Sequence, residues 1–128
     1  MTIQPDDSIL MVVPLFHVLA WGIPYFGPMN GLKLIMPGMQ MEGEPLYELI
    51  DQEDVSLAFG VPTIWMGLLA YCRENNKILS SVKNTIIGGS ALSLATLQEF
   101  DEVHDVNVIH AWGMTCLLYT SPSPRDLS

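Results

Sequence analysis

Residues Ile86–Ser93, IIGGSALS, followed one helix-length later by His110–Thr115, HAWGMT, constrain this chain more than any other feature. Each begins at the end of a short apolar run and opens into a loop of small residues. Short apolar runs bounded by turn residues read as buried strands. Strands separated by single helices pair in parallel through right-handed crossovers. Ligands of such sheets gather at the carboxyl ends of the strands, and loops without bulky side chains leave room there for a flat nucleotide.

The rest of the chain repeats the pattern. Strands are expected at Ile9–Val13, Leu32–Met36, Val55–Phe59, Thr85–Ile87 and Val106–Ile109. Helices are expected from about Phe16 to Tyr25 (loosened by Gly22), over Glu44–Asp51, from Pro62 to about Asn75 and over Ser93–Val103. Pro62 suits a first helical turn, and Ser93 suits an N-cap. In a helix over Phe16–Tyr25, His17 and Trp21 share one face at i and i+4. The fold class is therefore α/β, with strands and helices alternating around a mainly parallel sheet. The segments after the strands, Pro14–His17, Gly60–Thr63, Gly88–Ala91 and His110–Thr115, converge on one side.

Composition narrows the function. The chain has 128 residues, enough for one small domain, and 49% of them are hydrophobic, as in an interior buried on several faces. Five Lys and Arg against a net charge of −9 exclude a basic nucleic-acid surface. The apolar run Ile9–Met29 is broken by Pro14, Gly22, Pro24, Gly27 and Pro28. A spanning helix needs about 20 predominantly apolar residues, so no membrane span is expected. Cys72 and Cys116 match no metal or redox spacing. Cys72 reads as a buried free thiol, and the cytoplasm is the expected compartment. His104 reads as a surface residue, and neither it nor His110 has a metal-ligand partner at useful spacing.

Four segments occurring in order, PLFHVLAWGIPYFGPMNGLKLIMPG at 14–38, GVPTIW at 60–65, GGSALS at 88–93 and HAWGMT at 110–115, resemble the adenylate-forming superfamily. They look most like its medium- and long-chain fatty acid–CoA ligases. The resemblance implies a large amino-terminal domain that joins a carboxylate to the α-phosphate of ATP, with magnesium on the phosphates. Coenzyme A then displaces AMP. It further implies that Gly88, Gly89, Ser90 and Ala91 approach adenine and its sugar, and that His110, Ala111, Trp112, Gly113 and Met114 form the second nucleotide loop. Trp112 would lie against the purine, with the Thr115 hydroxyl donating to the α-phosphate. On the acyl side it implies His17 beside the carboxylate, Trp21 near the mouth of the acyl channel, and Val61 and Thr63 along it.

Each of these residues also has a plainer reading. GGSA makes an ordinary strand-to-helix turn, Trp112 a core residue at a sheet end, and His17 a satisfied histidine in an apolar stretch. An aryl- or amino-acid-activating member of the same superfamily, and a non-catalytic α/β nucleotide-binding module, remain open at this level.

The resemblance also implies parts not present in these 128 residues: a phosphate loop, a ribose-binding Asp and a domain with a catalytic Lys. Cys116 stands where an acid would help hold magnesium, so no metal site is expected. The sequence thus reads as an internal, inactive piece, with residues 1–115 a partial AMP-binding domain and 116–128 foreign. Cys116–Asp126, CLLYTSPSPRD, agrees at eleven consecutive residues with one translated frame of a transposase-end sequencing adapter. Substrates implied are fatty acid, ATP and coenzyme A; oligomeric state is not legible.

Overall fold

The computed structural model describes residues 3–114. Five parallel strands, β1 (Ser8–Met11), β2 (Lys33–Ile35), β3 (Leu57–Gly60), β4 (Asn84–Ile87) and β5 (Asn107–His110), form one sheet in the order β2-β1-β3-β4-β5. Between β1 and β2 lie a four-residue turn, α1 (Val18–Trp21), and a helix, α2 (Ile23–Met29). The later crossovers carry α3 (Gly43–Gln52), α4 (Pro62–Asn75) and α5 (Leu94–Glu102). The expected α/β class and parallel pairing hold, as does the Ser93 cap, whose Oγ accepts from the Thr96 N–H at 3.1 Å.

Strand parity divides the core. On one face Leu10, Ala58 and Ile87 pack with Leu46 and Ile50 of α3, Trp65, Leu68 and Leu69 of α4, and Phe100 of α5. On the other, Ile9, Met11, Leu57 and Phe59 pack with Ala20 and Ile23. Side chains alternate across a strand, so neighbours two apart share a face. The chain leaves β1 toward β2 but leaves β3 toward β4, the opposite direction. Open α/β sheets bind ligands at the carboxyl ends of their strands, next to such a reversal.

The expected right-handed helix over Phe16–Tyr25 is not formed. Val18, Leu19, Ala20 and Trp21 have φ of 47°, 51°, 47° and 56°, and Gly22 follows at 78°. This is one left-handed turn, closed by Ala20 N–H to the His17 carbonyl and Gly22 N–H to that of Leu19. Each L-residue held there costs on the order of 1–2 kcal/mol, and a β-branched residue such as Val18 is a marked outlier. His17 is itself extended (φ −96°, ψ 99°), so the helical-face argument joining it to Trp21 fails. Tertiary packing compensates: Ala20 is wholly buried, and Trp21 meets Phe59 edge-on with ring centroids 6.5 Å apart.

His104 corrects a second expectation. It is 4% exposed, and its Nδ1 accepts the Leu79 N–H at 3.3 Å. Burial lowers its pKa from the ordinary 6.5. Cys72 is buried and free as expected, its thiol pushed up to about 11 chiefly by burial. No helix among the described residues is long and apolar enough to cross a membrane.

Candidate functional site

A cavity of about 460 Å³ lies over the carboxyl ends of β3, β4 and β5. One wall comes from the left-handed turn: His17, Val18, Leu19, Trp21 and Gly22. Phe59 and Ile86 form its floor, and Gly88, Gly89 and Ala111–Met114 form the opposite wall. His17 and Trp21 thus meet the two glycine-bearing loops in one place, although by a different backbone route from the one periodicity suggests.

Gly88 and Gly89 serve distinct purposes. A Cβ at position 88 would stand 3.1 Å from the Ala111 carbonyl oxygen and 3.2 Å from Trp21 Cη2. The missing side chain therefore admits the Trp21 indole. Gly89 has φ +93°, a conformation that L side chains rarely adopt, and it carries the chain away from the cavity floor. The loops continue the sheet's hydrogen bonding: Gly88 N–H donates to the Gly60 carbonyl at 3.2 Å and Ala111 N–H to that of Ile87 at 2.8 Å.

Other residues fall outside the cavity wall. Ser90 and Ala91 are exposed beyond it. The His110 side chain lies between the two loops: Nε2 donates to the Ser90 carbonyl at 3.2 Å and ties them together. Val61 caps α4, with Cγ1 3.3 Å from where a Gly89 Cβ would be, so it supports the loop from outside the cavity. Thr63 is exposed in the first turn of α4 and does not reach the channel. Trp112 is 77% exposed, its indole open at the cavity wall and not packed in a core. Thr115 and the residues after it lie outside the described residues.

Sequence reasoning missed Phe59, Ile86, Val18 and Leu19. For the first two a signal existed. Phe59 and Ile86 are paired directly across β3 and β4, and at the last inward position before a loop such residues must floor whatever the loop encloses. Val18 and Leu19 carried no signal, because nothing in their side chains announces a left-handed turn.

The cavity can enclose an apolar chain against Trp21, Phe59 and Ile86 and a flat ring near Trp112. Among the described residues no three His, Cys, Asp or Glu gather as a cation site. Among the described residues no carboxylate lines the cavity, so these residues do not fit a resident magnesium ion.

Comparison with known proteins agrees in fold and in sequence. The model of the AMP-binding enzyme family matches residues 1–122. A medium-chain fatty acid–CoA ligase of Ectopseudomonas oleovorans is 46% identical over 115 residues, covering 90% of this chain and 21% of that protein. A 3-methylmercaptopropionyl-CoA ligase of Ruegeria pomeroyi is also 46% identical, over 85% of this chain and 20% of its own length. The chain thus spans about a fifth of the length of these relatives. Among solved structures, the N-terminal domain of FACL13 from Mycobacterium tuberculosis superposes with a TM-score of 0.78 at 22% identity, covering 90% of this chain and 29% of that one. Its likeness concerns the fold alone. On the match to its family model, the chain belongs to the AMP-binding enzyme family.

Proposed function

We propose that this chain supplies the meeting place of acyl group and adenylate in an AMP-forming fatty acid–CoA ligase. The observation that carries the reading is the single cavity shared by His17 and Trp21 on one side and Gly88, Gly89 and Trp112 on the other. The 46% identity to a medium-chain fatty acid–CoA ligase favours a fatty acyl substrate over aryl or amino acids.

In the reaction a carboxylate oxygen attacks the α-phosphorus of ATP and pyrophosphate leaves. The sulfur of coenzyme A then attacks the acyl carbon and AMP leaves. Trp21, Phe59 and Ile86 would hold the acyl chain by exclusion of water. The His17 imidazole, exposed in the cavity wall, would face the carboxylate. Trp112 would stack on the purine, a contact worth about 1–3 kcal/mol in comparable settings, with the Gly88–Gly89 backbone at its edge. Thr115 is proposed to donate to the α-phosphate. Magnesium, when bound, neutralises phosphate charge, but the described cavity residues provide no oxygen ligand set for it.

Residues 1–115 are read as part of the AMP-binding domain and 116–128 as a translated adapter, on the eleven-residue agreement. An uninterrupted gene carrying the same residues after Thr115 would overturn the second reading. A reducing cytoplasm suits the free Cys72.

Calorimetric titration tests the proposal with adenosine, a fatty acid, and an acyl-sulfamoyl adenosine joining the two. The joined compound should bind far more tightly than either part, since one ordering cost replaces two. Equal affinities for the joined compound and adenosine alone would refute a shared site.

A further inference from the structure

We propose that the left-handed turn Val18–Gly22 is the positioning element of the cavity, a strained segment whose hand sets the shape of the wall that the ligand meets. The proposal rests on reading that wall as the acyl end of the site. Five successive residues occupy the left-handed region, four of them not glycine. Such conformations persist only where the surroundings over-determine them, and they cluster at ligand clamps.

The division of labour within the turn is clear. Ala20 is wholly buried beside Ile23 and Trp21 packs partly against the same core, while Val18, Leu19, Trp21 and Gly22 all line the cavity. Reversing the hand would change the directions of these side chains and lift Trp21 from Gly88 and Phe59. Packing on the core side and an occupant on the cavity side therefore support one strained conformation together. A change that raises the cost of the left-handed state lowers the fraction of molecules with a competent wall, and apparent affinity falls by the same fraction.

Leu19 allows the test because it is 61% exposed, so its replacement spares the core. Leu19→Ile keeps volume and polarity but adds a β-branch that the left-handed region resists. Leu19→Asn introduces a residue that tolerates that region. Met66→Gly, at a comparably exposed site in right-handed α4, is the control. Thermal midpoints, anilinonaphthalene sulfonate binding and binding of straight-chain acids from hexanoate to palmitate would be measured on the whole chain.

The expected result is a midpoint about 3–6 °C lower for Leu19→Ile, a higher one for Leu19→Asn, and several-fold weaker probe and acid binding for Leu19→Ile. If Leu19→Asn lowers the midpoint as Met66→Gly does, the turn does not have this hand and the proposal falls. The positioning role also falls if the midpoints order as expected but Leu19→Ile binds the probe as the unaltered chain does. If midpoints and probe follow expectation while no acid binds any form, the turn's role stands and the acyl reading of the site fails instead.

Discussion

The indole of Trp21 lies against the backbone of Gly88, close enough that a Cβ there would stand 3.2 Å from Cη2. This contact joins the turn after β1 to the loop after β4, so the two walls of the cavity meet at Gly88. Gly88→Ala should destabilise the chain by about 1–2 kcal/mol, because the methyl also presses on the Ala111 carbonyl. Urea unfolding would measure the loss. In the Trp21→Ala background the same substitution should cost less, and strict additivity would show that the two residues do not touch.

Trp21→Ala alone should alter the preference among carboxylic acids more than affinity for adenosine. Its ring lies edge-on to Phe59 and touches the nucleotide-loop side only at the Gly88 backbone. Competition binding with an acid series and with adenosine separates the two effects. Weakened adenosine binding with an unchanged acid profile would place Trp21 on the nucleotide side.

Much of this architecture was legible in the sequence, and the failures share a cause. Pro62 and Ser93 announce α4 and α5 through local chemistry, which a sequence displays directly. The hand of the Val18–Trp21 turn is a tertiary effect: Val, Leu, Ala and Trp all prefer the right-handed region, and only burial of Ala20 and seating of Trp21 reverse them. His104 reads as a surface residue in the sequence, yet past the end of α5 it turns onto Leu79. Within the site, Gly88 and Trp112 were identifiable by type. That Gly88 makes room for Trp21 was not, since their contact spans 67 positions of sequence.

His104 gives the fold a pH dependence with a definite sign. Burial lowers its pKa in the folded chain below the ordinary 6.5, so the unfolded chain binds the proton more readily. The contribution is fully present above about pH 6.5 and is lost as the pH falls through that value toward the folded pKa. Urea midpoints between pH 7.5 and 5 should decline for the unaltered chain. The decline should be smaller for His104→Gln, whose amide oxygen accepts the Leu79 N–H without titrating. Parallel profiles would assign the dependence to other groups.

His110 should matter through its bond to the Ser90 carbonyl. His110→Ala should weaken adenosine binding several-fold and speed amide exchange in the loop after β4, with a change in global stability within about 1 kcal/mol because the bond is exposed. Unaltered exchange across Gly88–Ala91 would show that the bond does not hold the loop.

The most direct test of a shared acyl and adenylate cavity is a nitrogen-15 correlation spectrum of the chain titrated with an acyl-sulfamoyl adenosine. The indole signals of Trp21 and Trp112 and the amides of Leu19, Gly88, Gly89 and Ala111 should shift together, with one saturation curve. Signals around His104 and Cys72, which border a separate cavity, should stay in place. Shifts confined to one wall, or centred on that second cavity, would contradict the account.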